Sequence, residues 1–291
     1  MSRQAANALV WAVLLTMPYW LGVVGGYTEL GSRVLVLGLA AMSLNFLLGF
    51  TGVLSFGHAA YFGLGAYGTA LTLKYLAPST PLAVLVGVAT GAVAAAIIGA
   101  MIVRLRGVYF AMVTIAFGQV FFFIAFRWNS VTGGDDGVTG WKRQAIGLGQ
   151  WVIDIQAHDK TFYYFTLALF AVGVGIMALL LRSPFGRTLL AIRENERRAR
   201  FLGLPVEQHI WLSFVISCLF VALAGALYAL LNNFTDPRAL RWDQSGNFVI
   251  MAVLGGMRSF WGPLIGAAIF VLIVLFFPRG VLGIVRRKNV S

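Results

Sequence analysis

Apolar runs of roughly the length a bilayer demands recur along this whole chain, and they fix its class before any motif is considered. A helix needs about 20 residues to cross the hydrocarbon core. Such stretches occupy 9–27, 34–50, 58–77, 81–103, 108–126, 162–181 and 210–231, followed by a long apolar tail over 248–277. Only 11% of the residues are charged, against about 25% in soluble domains. The runs do not alternate between polar and apolar, as the roughly ten-residue strands of an outer-membrane barrel would. The expectation is an all-α integral membrane protein with about eight transmembrane helices.

Charge sets the orientation. The chain carries a formal net charge of +12, which suggests nucleic acid until the basic residues are located. They flank membrane runs, as the excess of Lys and Arg in cytoplasmic loops predicts. With Arg104, Arg106 and the loop 183–209 inside, fourteen of the 22 Lys and Arg but only three of the ten Asp and Glu fall on the inner side. Arg3 then also lies inside. No small-residue cleavage site follows the first run, so it reads as an anchored helix rather than a removed signal peptide. The tail breaks the alternation. Two crossings between 248 and 277 would put Arg286, Arg287 and Lys288 outside. Either the first part of the tail does not cross, or a crossing is absent near Leu272 and Ile273.

Several chemistries are missing. None of the four lysines follows a glycine, so there is no phosphate-binding loop and no means of hydrolysing ATP. Gly63-Leu64-Gly65-Ala66-Tyr67-Gly68 matches a dinucleotide fingerprint but has no strand before it, so close helix packing is the better account. No acid lies in mid-membrane, where proton-coupled carriers place one. The three histidines lack metal-ligand spacing, and no catalytic polar cluster is present. Cys218 reads as a small buried hydrophobe.

Three features remain. The first is 50–67, FTGVLSFGHAAYFGLGAY, where glycines with Thr51, Ser55 and His58 interrupt a continuous helix. Irregular backbone at membrane depth is tolerated only when buried in protein or lining a wet cavity. A broken or re-entrant segment beside a translocation path and a tight helix-to-helix turn are both open. Asn45, Thr114 and Gln119 are polar residues within spans, for interhelical hydrogen bonds or for a path. The second feature is the set of pairs Gly22/Gly26, Gly87/Gly91 and Gly262/Gly266, which allow close helix approach. The third is the loop 183–209, SPFGRTLLAIRENERRARFLGLPVEQH. A helix is expected from Thr188 to the stop at Gly203 and Pro205. Leu189, Ile192, Ala199 and Leu202 share one face of it. Glu194/Arg198 and Glu196/Arg200 are spaced as i,i+4 pairs. A solvated surface helix and a docking helix for a cytoplasmic protein are the competing readings.

The stretches LNFLLGFTGVLSFGHAAYFGLGAY, RLRGVYFAMVTIAFGQ, TGGDDGVTG, SPFGRTLLAIRENERRARFLG, FVISCLFVALAGALYAL and VLGGMRSFWGPLIGAA resemble the LivM-type permease subunits of branched-chain (hydrophobic) amino acid ABC importers. The resemblance covers almost the whole chain. It implies an ABC importer permease fold forming one transmembrane domain over 1–291. An external loop at 127–161 and a cytoplasmic coupling loop at 183–209 would complete it. It implies a multi-pass protein of the bacterial inner membrane with a cytoplasmic N-terminus. The implied partners are a homologous second permease, two ABC ATPase subunits and a periplasmic binding protein, with ATP and Mg on the ATPases and no cofactor here. The coupling residues would be Arg187, Leu189, Ile192, Arg193, Glu194, Glu196, Arg197, Arg200, Leu202 and Gly203, with Leu189, Ile192, Ala199 and Leu202 on the buried side. Thr51, Ser55 and His58 would line the cavity wall, and Asp135, Asp136 and Arg143 would meet the binding protein. No catalytic or metal residue is implied. A urea, short-amide or organic-acid permease is the nearest alternative, and a stand-alone channel or facilitator the alternative of another class. Relatives carry a polar loop and part of a further span before a segment like Phe277-Pro278-Arg279-Gly280. Its lack here again points to absent residues around Leu272–Ile273.

Overall fold

The computed structural model describes residues 3–21, 27–148, 151–156 and 159–276. In chain order the α-helices are α1 (Arg3–Trp20), α2 (Thr28–Thr51), α3 (His58–Leu71), α4 (Thr80–Ile102), α5 (Val108–Arg127), α6 (Asn129–Thr132), α7 (Asp159–Arg182), α8 (Pro184–Glu194), α9 (Glu196–Phe201), α10 (Val206–Asn232), α11 (Trp242–Gly255) and α12 (Gly262–Phe276). A π-helical turn, Thr72–Leu76, extends α3. A small antiparallel ribbon, β1 (Ile146–Leu148) with β2 (Trp151–Ile153), lies in the longest connection.

Among the described residues, five helices are long and apolar enough to cross a membrane: α2, α4, α5, α7 and α10. The shorter apolar helix α12 adds a sixth apolar segment, and the remaining spans of the expected eight do not meet this criterion of length and composition. The region read as a third span is a 14-residue α3 plus the π turn. The apolar tail is two short helices, α11 of 14 residues and α12 of 15, packed against each other. Helix α12 runs unbroken through Val271, Leu272, Ile273 and Val274. Arg279, Arg286, Arg287, Lys288 and the pair Gly22/Gly26 lie outside the described residues.

Helix α10 is the centre of the molecule and packs on α2, α3 and α4. Small residues make this possible. A Cβ on Gly65 would run into the Ala222 carbonyl oxygen, and one on Gly225 into that of Phe62, so α3 and α10 touch backbone to backbone. Gly87 and Gly91 sit against Gly65 and Ala222, and Gly262 and Gly266 against Gly255 and Met251. The pairs Gly87/Gly91 and Gly262/Gly266 and the apparent fingerprint at 63–68 are thus packing devices, as their setting in apolar runs predicts.

The segment 52–57 breaks the apolar run into two helices joined by irregular backbone. Gly52 ends α2 in the left-handed conformation, donating to the carbonyls of Leu47 and Leu48. Six irregular residues then lead to α3, and both flanking helices pack on α10. At the opposite end of the bundle from α8 and α9, Val138 pairs with Thr235 as an isolated antiparallel bridge. There the Thr80 hydroxyl donates to the Gln144 carbonyl.

Candidate functional site

The loop between α7 and α10 folds as two helices rather than one. Asn195 is extended (φ −157°, ψ 97°), and its side-chain oxygen accepts the Arg198 N–H, capping α9. An Asn in this place is a standard helix-start residue, and the sequence reading ran past it. The break rotates the second half of the loop. Leu189, Ile192 and Ala199 are buried as expected, but Leu202 is 73% exposed and Phe201 91% exposed. Leu202 therefore does not belong to the buried face. The helix ends at Gly203, whose φ is +80°, as the stop signal predicted.

Ion pairs tie this loop to its neighbours. Arg106, in the α4–α5 turn, meets both carboxylate oxygens of Glu196 at 2.8 and 2.9 Å. Arg200 reaches Glu196 at 2.9 Å and Glu207 at 3.2 Å. The Glu196/Arg200 pair is as the spacing predicted, whereas no Glu194/Arg198 pair forms. Burial pushes the Glu196 carboxyl up, but hydrogen bonds and charge from Arg106 and Arg200 outweigh it and hold the group below its ordinary value. Arg193 donates to the Gly49 carbonyl in the last turn of α2, and its stem lies against Gly52. Arg187, Glu194 and Arg197 are exposed. The loop thus presents Phe201 and Leu202 as an apolar tip among arginines, on a base clamped to α2 and to the α4–α5 turn.

Beneath this clamp lies a polar chain inside the bundle. The Gly57 N–H donates to the Ser55 hydroxyl at 3.3 Å, and Ser55 Oγ lies 3.0 Å from His58 Nδ1. His58 Nε2 lies 2.8 Å from Ser217 Oγ, which donates to the Ser43 carbonyl. Each hydroxyl has one proton. Ser217 spends its proton on Ser43, so His58 Nε2–H must donate to Ser217. Nδ1 then accepts from Ser55. The geometry selects one neutral tautomer, joining the start of α3 to α2 and α10. Phe214 lies edge-on to His58, Tyr61 and Phe110, which excludes water from one side.

The other path candidates are similarly enclosed. Thr51 donates to Ser213, and Thr114 accepts the Phe56 N–H while donating to Ala111. Asn45 donates to the Ser259 carbonyl. Thr51, Ser55, His58, Asn45 and Thr114 are all buried, and Gln119 is half-buried. The relay partners Ser43, Ser213, Ser217 and Ser245 escaped the sequence reading, because isolated serines in apolar runs carry no periodic signal. Ser245 accepts the Ala59 N–H in the first turn of α3 at 2.7 Å.

At the opposite end, Asp135 and Asp136 are exposed in a glycine-rich turn. Arg143 is buried instead: its guanidinium lies 4.3 Å from the centre of the Phe162 ring and 3.5 Å from Asp159. Its backbone N–H donates to Asn233, which stands in the left-handed conformation after α10. A recess of about 830 Å³ opens here, with Lys74, Lys142 and Arg143 in its wall. Arg143 thus holds the loop together from the wall of this recess.

Residues 27–277 match the family model described as the branched-chain amino acid transport system permease component. The high-affinity branched-chain amino acid transport system permease protein LivM of Salmonella typhimurium is 28% identical over 85% of this chain and 62% of its own length. LivM of Escherichia coli K12 is 27% identical over 91% and 66%. LivH of the same organism, a permease of the same system, is 25% identical over 84% and 90%. The chain spans about two thirds of the length of the LivM relatives. No solved structure matches it. Five apolar helices and the family match make it a multi-pass membrane protein.

Proposed function

The chain belongs to the branched-chain amino acid transport permease family, and from that premise we propose that it is the membrane subunit of an ATP-driven importer for branched-chain or other hydrophobic amino acids. It pairs with a homologous permease, draws energy from two ABC ATPases and receives substrate from a periplasmic binding protein. It is not itself an enzyme. It lies in the bacterial inner membrane with the loop 183–209 and the N-terminus in the cytoplasm.

The observation that carries this reading is the α8–α9 loop. A helix merely resting in solvent would not hold Phe201 and Leu202 out to water on a base fixed by three arginine contacts. Exposed large apolar side chains on a rigid, positively charged mount suit a groove on another protein. Arg193 delivers any displacement of α8 to the end of α2, next to the 52–57 segment and the His58 relay. In this scheme Arg187, Arg197 and Arg200 surround the docking tip, Leu189 and Ile192 anchor it, and Gly203 frees the chain to re-enter the bundle. Thr51, Ser55 and His58 act behind the path wall, transmitting movement between α2, α3 and α10.

The test is reconstitution in proteoliposomes with a homologous second permease, two ABC ATPase subunits and a binding protein. Substrate-stimulated ATP hydrolysis and uptake are expected, both lost on replacing Phe201 and Leu202 with serine. Passive flux by the chain alone, unaffected by that replacement, would make it a channel or facilitator and sink the proposal.

A further inference from the structure

A second site of a different kind lies on the side of the bundle. Helices α1 and α7 run antiparallel: the Tyr163 hydroxyl donates to the Leu14 carbonyl at 2.6 Å, and Trp11 meets Phe170 farther along. Where α1 begins and α7 ends, a recess of about 620 Å³ opens between them and the α11–α12 link. That volume falls within the roughly 300–1,000 Å³ common for small-ligand sites. Its wall is built rather than incidental. Trp261 donates its indole N–H to Asn7 at 2.8 Å and packs edge-on against Trp11 at 5.6 Å. Asn45 holds the link through the Ser259 carbonyl.

Two arginines stand at this recess, Arg182 and Arg258. Neither has a hydrogen-bond, ion-pair or ring partner among the described residues, and no carboxylate lines the recess. Apart from Asn7, whose side-chain oxygen is taken by Trp261, and Ser259, the rest of the wall is apolar or aromatic, including Val174, Leu181 and Phe260. Two unneutralised cations over an apolar floor call for an amphiphile with an anionic head. Depth agrees with this. Helix α7 has 24 residues, about 36 Å at 1.5 Å each, so Arg182 at its end stands at the edge of a hydrocarbon core of about 30 Å. Ile176 and Leu179, just above it, are exposed apolar side chains on the outside of the bundle. A ligand seated on the arginines can run its chains along that face.

We propose that this recess binds the phosphate headgroup of an anionic phospholipid, with Arg182 and Arg258 on the phosphate and Trp11 and Phe260 against the glycerol and first methylenes. Basic pockets between membrane helices on the cytoplasmic side are suited to such headgroups. The lipid then clamps the end of α7, two residues before α8 begins. The site stands whether or not the transport reading does.

The experiment uses the full chain with whatever subunits purify with it. It is extracted from vesicles of equal parts phosphatidylglycerol and phosphatidylcholine, and retained lipid is counted by native mass spectrometry. Phosphatidylglycerol should be retained over phosphatidylcholine by at least about tenfold, from two basic groups at an anionic headgroup. The preference should vanish in R182Q/R258Q and survive in R182K/R258K. Equal retention of the two lipids, or a preference unchanged in R182Q/R258Q, overturns the proposal. Millimolar inorganic phosphate should leave the lipid in place; displacement would make the site one for a free anion and overturn the lipid assignment. If R182Q/R258Q fails to fold, fluorescence of the unaltered protein decides. Phosphatidylglycerol with brominated chains should quench tryptophan more than brominated phosphatidylcholine does, and W11F/W261F should remove the excess. No excess quenching again overturns it.

Discussion

At the scale of single residues, the decisive constraint is how a polar group survives among apolar helices. His58 is completely buried, and it survives because both ring nitrogens have partners of fixed polarity. His58→Ala removes the acceptor for the Ser55 hydroxyl proton and the donor to Ser217. A stranded buried group costs about 1–3 kcal/mol, and the vacated ring volume adds to it. The thermal unfolding midpoint in detergent should fall clearly, and an unchanged midpoint would refute the relay. Of this relay, His58 and Ser55 were legible as residues worth attention, because they interrupt an apolar run. Ser217 and Ser43 were not, because pairing across α3, α2 and α10 is a property of three helices meeting. Arg143 teaches the converse. Its burial was not legible, because a guanidinium is buried only once an aromatic face and a carboxylate receive it, and both come from α7.

At the scale of elements, helix boundaries divide into those written in local chemistry and those set by packing. The α4–α5 turn at 104–107 and the stop at Gly203 were legible, the latter because a glycine with φ of +80° ends the helix. The break at Asn195 was equally local, since it uses an ordinary cap, but the apolar periodicity from Leu189 to Leu202 masked it. Asn195→Ala should destabilise the loop by about 1 kcal/mol and raise amide exchange in α9 while leaving the bundle unchanged. The ion pairs on Glu196 give this element a pH dependence. Its carboxyl is held below the ordinary value of 4.5 in the folded state. The stabilisation is therefore complete above that value and is lost as pH falls through the lower folded value. Exchange protection of α9 should decline over that acid range, and Glu196→Gln should abolish the decline. The length of α3 and the division of the tail into α11 and α12 were not legible. Hydropathy sees the apolar run, whereas the glycine contacts that fold it back on itself are tertiary.

At the scale of the whole molecule, a chain of contacts runs from the loop tip to the interior. Phe201 and Leu202 stand on α9; Glu196 joins α9 to the α4–α5 turn; Arg193 joins α8 to Gly49 near the end of α2. From there Thr51 reaches Ser213, and the 52–57 segment leads to His58, both ending on α10. Helix α10 contacts α2, α3 and α4, and its backbone touches that of α3 at Gly65 and Gly225, so a displacement of any of the three bears directly on it. This separates docking from transmission. Replacing Phe201 and Leu202 with serine should remove ATPase binding. Arg193→Ala should leave ATPase binding intact, because Arg193 faces the bundle, but should cut substrate-stimulated ATP hydrolysis by at least about fivefold, the lower range of ordinary coupling between sites. Co-purification of the ATPases reads the first step and stimulated hydrolysis the second. If Arg193→Ala retains full stimulation, movement enters the bundle elsewhere, and the Arg106–Glu196 clamp becomes the remaining route, testable by the same pair of measurements on Arg106→Gln.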